Sequence, residues 1–317
     1  MQGRIFRWKT TTEQFQYYDS GKYSAPYMSN VSGTSYYNRF VLATEETNLP
    51  LMKKGRDKGW IKGDPNIFYR DEAQRVTSLR DNEFGSNTAL TSFIEFEHFG
   101  ITTLPSKCFS GCTNLSDIIY PHTLKSIASN GIFFFYHCYK IKELPDMTNL
   151  SVANYGTGNG GGMGNWAAGC NTIKEIKLAN SAKNYYRSCF YGLANLSEVI
   201  IPSGATYIHY TAFGLALEKL TFLDGGSLTL YAASIYFKKN VPHIIVCERS
   251  TCPTLNDTGE VTGADIFQNA QNTTIYYPAG SDYSHWETFA YSGLKTNCRF
   301  IPCQRGEDGH LIIPEEN

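Results

Sequence analysis

The sequence predicts a repeat solenoid. It is β-rich, with short parallel strands alternating with single helical turns, and a β/loop region ahead of the array. Three observations predict it. The stretch FSGCTNLSDIIYP sets apolar residues three apart at Phe109, Cys112, Leu115 and Ile118, then two apart at Tyr120. That change of spacing fits neither an amphipathic helix nor a plain strand, and reads as a helical turn feeding a short strand. The same ladder recurs down the chain. The composition, with 22 Tyr, 19 Phe and 28 Gly in 317 residues, suits short strands, turns and stacked rings better than a helical bundle.

In chain order, residues 1–75 lack the repeat. They carry many aromatics (Phe6, Trp8, Tyr17, Tyr36, Trp60 and Phe68 among them) in a polar background, which disfavours disorder. They read as a capping or attachment domain of short strands and loops. Leu51 to Gly63 is the one basic run, and a solvated loop explains it.

The array occupies residues 76–280. Its anchors Phe84, Phe109, Phe135, Ala167, Phe190, Phe213, Phe237 and Phe267 stand 25, 26, 32, 23, 23, 24 and 30 residues apart. The two long intervals hold insertions, the Gly-rich Tyr155 to Asn165 and the segment Cys247 to Gly263. The ladders at Phe213 and Phe237 are shortened, to Phe213-Leu217-Leu220 and Phe237-Val241-Ile244. A unit of about two dozen residues cannot bury its own ladder, so the units stack and share one core. Their strands then pair in parallel, and Pro121, Pro202 and Pro278 close strands where no ladder bond is lost. Residues 281–317 read as a C-terminal cap and tail, with Trp286, Phe289 and Phe300 as its apolar content.

The stretches ITTLPSKCFSGCTNLSDIIYP, RSCFYGLANLSEVIIPSGATYIHYTAF and NTTIYYPAGSDYSHW resemble the BspA-type leucine-rich repeat family, whose repeats follow I-x-x-x-A-F-x-x-C-x-x-L-x-x-I-x-I-P. The resemblance runs from Val76 to Trp286 and weakens where later copies lose the Cys. It implies a leucine-rich-repeat-like solenoid in a non-enzymatic surface or adhesion protein, of a kind common in gut and oral bacteria, with no catalytic residues to carry over.

The residues themselves point the same way. A net charge of −1 supports neither a nucleic-acid nor an anionic-membrane partner, and no apolar run is long enough to insert in a membrane. Gly156 to Gly161 satisfies G-x-G-x-x-G, but without the strand before and helix after that a dinucleotide site requires. The seven histidines form no metal-binding pair, and Glu95 and Glu97 have no acid-tuning context. Of the nine cysteines, Cys247/Cys252 and Cys298/Cys303 could hold zinc by number, but their spacing is too long for a knuckle. Cys108, Cys112, Cys138, Cys170 and Cys189 read as small buried hydrophobes. No enzyme activity, cofactor or metal is expected.

Period-two alternation assigns one strand residue per copy to the face opposite the core: Ile94, Ile119, Pro145, Lys177, Ile200, Thr221, Ile245 and Tyr277. Apart from Pro145 these make the candidate binding face. Either another layer, such as residues 1–70, covers this stripe, or a partner does. The expected partner is a protein or surface glycan, with self-association or assembly into a larger particle left open.

The start MQGRIFRWKTTTEQF has no apolar stretch behind its basic cluster and does not read as a secretory signal. With the dissimilar N-terminal region, this favours a phage virion component, in a tail or fibre, over a bacterial cell-surface adhesin. The binding half of a glycan-active enzyme is the third reading.

Overall fold

The computed structural model describes residues 4–9, 14–16, 39–43 and 77–314, apart from 80, 89, 94–95, 98, 129–132, 157–164 and 259–262. The basic run 51–63, Ile94, Glu95, His98 and most of the Gly-rich insertion lie outside the described residues. In the N-terminal region β1 (Arg4–Lys9) pairs antiparallel with β2 (Gln14–Gln16) and β3 (Arg39–Ala43).

From residue 77 the chain is a β-solenoid of about eight parallel turns with almost no helix. Each turn visits up to three faces. The first face holds β4 (Ser92–Phe93) and β6 (Asp117–Ile118), then β10 (Glu198–Ile201), β13 (Lys219–Phe222), β16 (His243–Cys247), β19 (Thr273–Pro278) and β20 (Arg299–Cys303), the last five forming one sheet. The second face holds β5 (Thr103–Leu104) and β7 (Ser126–Ile127). Beyond them lies a sheet of β8 (Asn154–Tyr155), β9 (Asn184–Tyr185), β11 (Tyr207–Ile208), β14 (Thr229–Tyr231) and β17 (Thr254–Asn256). The third consists of β12 (Phe213–Leu217), β15 (Ile235–Phe237) and β18 (Phe267–Gln268). Between β19 and β20 the chain makes α1 (Ser284–Thr288), whose Trp286 is fully buried against Phe267, with ring centroids 5.1 Å apart.

The expected helical turns are tight non-helical turns instead. Within these turns the N–H of one ladder residue bonds the carbonyl of the ladder residue three before it, as in Cys112 to Phe109 (3.0 Å), Leu115 to Cys112 (3.1 Å), Cys138 to Phe135 (3.0 Å) and Cys170 to Ala167 (3.2 Å). In the first five copies a helix cannot propagate because the second residue after the anchor is left-handed, at Ser86 (φ 57°), Gly111 (φ 73°), His137 (φ 60°), Gly169 (φ 85°) and Gly192 (φ 77°). A second left-handed column stands two residues before the anchors, at Asn82, Lys107, Phe133, Ser188 and Thr211.

The core is one continuous cluster, to which each fully buried Leu, Ile or Phe contributes about 1.5–3 kcal/mol. Anchor rings stack along the axis: Phe84 on Phe109 (5.2 Å, 8°), Phe109 on Phe135 (5.6 Å, 10°) and Phe190 on Phe213 (5.4 Å, 15°). Where the anchor is Ala167, the preceding Trp166 fills the gap, 5.4 Å from Phe135 and 5.7 Å from Phe190. The thiols form a parallel ladder. Cys112, Cys138 and Cys170 donate to the carbonyls of Phe84, Phe109 and Phe135, each at 3.0 Å. All nine cysteines are free, and burial raises the thiols, Cys170 to about 12 and Cys247 to about 11.

Candidate functional site

The outer side of the first face is set by strand register. Val199, Leu220 and Ile245 pair in one inward row with Ile275 and Phe300, so the next outward row is Ile200, Thr221, Val246, Tyr276 and Ile301. Two of the expected face residues are therefore corrected. Ile245 is fully buried in the core, and Tyr277 is half-buried on the inner side, 4.8 Å from the ring of Tyr283. The shortened ladder at Phe237 allows either Ile244 or Ile245 to face inward from spacing alone, and a one-residue slip exchanges the faces. Val246 and Tyr276 take the outward positions in those copies.

The remaining expected positions lie on the outer side. Ile119 is 43% exposed and Ile200 47%, Lys177 is exposed, and Thr221 is half-buried. Pro145 is buried, and Ile94 lies outside the described residues.

Ion pairs link successive turns across this face: Asp117 with Lys142 (2.6 Å), Asp146 with Lys177 (3.5 Å), Glu198 with Lys219 (2.7 Å) and Glu218 with Lys238 (2.5 Å). The hydrogen bond from Lys142 lowers the Asp117 carboxyl below its usual value, and bonds from Thr148 do the same for Asp146. Each exposed pair stabilises by about 0–1 kcal/mol, so their effect is to pattern the surface with alternating charge beside the Ile stripe. A shallow groove of about 750 Å³ runs along Ile119, Tyr120, Lys142, Leu144, Pro145 and Lys177.

At the other end the chain covers its own stripe. Beyond β20 the backbone turns over, bridges Arg305 to Leu311, and lays Leu311 and Cys303 against Val246 and Tyr276. Arg305 pairs with Asp224 at 3.2 Å and donates to the Glu248 carbonyl, while His310 Nδ1 lies 2.8 Å from Glu248 Oε1. The layer that covers part of the stripe is thus the C-terminal tail, and among the described residues Ile119 and Ile200 stay exposed.

One inner residue escaped sequence reasoning. Arg249 is fully buried, and its guanidinium donates to the carbonyls of Gly226, Pro202 (3.3 Å), Ser203 (3.3 Å) and Ala205 (3.4 Å). Burial lowers its pKa from the usual guanidinium value. No group of three or more His, Cys, Asp or Glu able to hold a metal occurs among the described residues. No helix among them is long and apolar enough to cross a membrane.

A family model for the BspA type leucine-rich repeat region matches six copies, over residues 72–156 and 165–251. Among solved structures, the pneumococcal vaccine antigen PcpA is similar at 15% identity over 74% of this chain and 73% of that one, with a TM-score of 0.34. A leucine-rich repeat protein from Bacteroides ovatus is similar at 14% identity over 76% of this chain and 67% of its own, with a TM-score of 0.33. No curated protein matches. The matched repeats span more than half of the sequence, and the chain belongs to the BspA type leucine-rich repeat family.

Proposed function

We propose that this chain is a non-enzymatic recognition protein whose first face docks a protein partner, and that it works as a tail or fibre component of a phage virion. The observation that carries the docking reading is the pair of exposed isoleucines, Ile119 just after β6 and Ile200 within β10, on a solenoid face patterned by inter-turn ion pairs. Exposed apolar side chains in a charged surround are the composition of a docking patch, with the apolar residues giving affinity and the charges orientation. The virion setting draws support from β1 to β3, whose antiparallel pairing departs from the parallel solenoid and suits a separate attachment element. Family membership favours a second setting, display on a bacterial envelope as an adhesin.

Two experiments test this. Gold-labelled antibodies against the chain, applied to particles and to intact cells of the culture that carries the gene, mark tails in the first setting and envelopes in the second. For the face itself, Ile119→Lys with Ile200→Lys leaves the thermal transition unchanged, because both side chains are solvent-exposed, yet abolishes binding of the labelled chain to those cells or particles. Undiminished binding by a folded double variant refutes the docking face.

A further inference from the structure

The second face carries a different surface. Its outward residues form two rows in register. One runs Asn154, Asn184, Tyr207, Thr229, Thr254. In the other, beyond the inward row, the rings of Tyr186, His209 and Tyr231 stack along the axis. Their centroids are 4.8 and 4.9 Å apart and their planes within 26° and 4°. Tyr207 stands apart from that column, 6.2 Å from both His209 and Tyr231 and tilted about 40° to each, and it is 43% exposed. Its ring is therefore partly open to solvent and outside the stacked column.

No acid, lysine or arginine occupies either row, in contrast to the ion-pair ladder of the first face. Burial holds the His209 imidazole below its ordinary value, so it stays uncharged at neutral pH. The charges nearest in sequence, Lys183, Arg187 and Asp257, lie at the strand ends, and the Arg187 guanidinium is engaged over the Tyr210 ring at 5.4 Å. Asn184 Nδ2 donates to Asn154 Oδ1 at 2.6 Å and Thr206 Oγ1 donates to Asn184 Oδ1 at 3.4 Å, which fixes the amides beside Tyr207.

We propose that this second face, centred on Tyr207, binds a neutral oligosaccharide. Charge matching selects a neutral ligand, since an anionic or cationic one would be desolvated here without a counter-charge. The negative ring face of a tyrosine attracts the weakly positive C–H groups on one side of a pyranose. Amides and hydroxyls both donate and accept, as the vicinal hydroxyls of a sugar do. These groups recur at every rung, about 4.8 Å apart, so the surface suits a chain of repeating units. A single partly exposed ring supplies too little apolar area for a stable protein interface. The assignment stands independently of the reading of the first face.

The test is binding of the full chain to an array of neutral gluco-, manno- and galacto-oligosaccharides, with sulfated and uronic-acid glycans as charged controls. At least one neutral series binds and the charged controls do not. Tyr207→Ala weakens that binding about three- to tenfold while Tyr207→Phe retains it. Thermal melting confirms that both variants fold. Ile119→Lys with Ile200→Lys leaves the glycan signal intact. Failure of every neutral series, preference for the acidic glycans, full binding by Tyr207→Ala, or loss through the first-face variant each overturns the proposal.

Discussion

Replacing Arg249 tests how the solenoid holds adjacent turns together. Its guanidinium bonds three carbonyls of the segment Pro202 to Ala205 and one of Gly226, and its own carbonyl accepts from Tyr283 Oη at 2.8 Å. Three successive turns and the segment leading into α1 therefore meet at one residue. Of the four acceptors, Pro202 and Ala205 belong to buried residues, whereas Ser203 and Gly226 are exposed and can turn to water. Pro202 O also accepts from Ala205 N–H at 3.2 Å, so one buried carbonyl loses its partner on truncation. An unsatisfied buried acceptor costs about 1–3 kcal/mol, and the space left by the side chain adds about 1–2 kcal/mol. Against this stands the relief of a buried charge whose hydrogen-bond acceptors are neutral carbonyls. The net expectation for Arg249→Ala is a loss of about 3 kcal/mol. Arg249→Met fills the volume and removes the charge, and is expected to lose only about 1 kcal/mol. Urea unfolding followed by tryptophan fluorescence, to which the buried Trp166 and Trp286 both contribute, reads both. Equal losses for Ala and Met would make the effect a lost hydrogen-bond set with no packing share. An Ala variant within about 0.5 kcal/mol of the parent refutes the pinning role altogether.

Three further outcomes follow from the geometry. Gly192 is left-handed (φ 77°) with its nearest foreign atom 3.6 Å from an added Cβ, so Gly192→Ala costs about 1 kcal/mol through conformation alone; Gly226, with open space and no positive φ, accepts Ala at no cost, and paired denaturation curves check both. The buried thiols of Cys108, Cys138 and Cys189 are pushed well up by burial, so a maleimide leaves them unmodified in the native protein at neutral pH and labels them only after denaturant, as mass spectrometry will show. Bonding to Glu248 raises the His310 pKa, with Asp308 adding to the rise and desolvation and Arg305 partly opposing it. That contribution to tail docking is fully present below the free imidazole value and fades as pH rises through the elevated one. Limited proteolysis then cuts the tail faster at alkaline than at acidic pH, and a pH-independent rate counts against the clip.

The period and most of the core were legible because a stacked unit must bury the same positions in every copy, which spacing records directly. Helical turns and chained tight turns share that three-residue spacing, and only the glycines at 111, 169 and 192 could have told them apart. Trp166 was hidden one residue before the anchor it replaces. The orientation of Ile245 depended on pairing, since its neighbour Ile244 is equally apolar. Arg249 looked like a charge in an insertion, because nothing local shows that carbonyls from two earlier turns converge on it. The second face carries a readable signal, an aromatic or histidine at 186, 209 and 231, weaker than that of the inward ladder because only three copies show it.

Trp166 also bears on how such a chain can diversify. Its ring lies 5.4 Å from Tyr155 at 82°, so the residues that flank the segment 157–164 are buried and clamped edge to face. With both ends held by the core, lengthening the intervening peptide costs only loop-closure entropy, about 0.6 kcal/mol per doubling. The repeat array can therefore accept foreign sequence at this point without re-threading any strand. That makes the junction a natural graft site, where new specificity can be tried while the scaffold stays as it is.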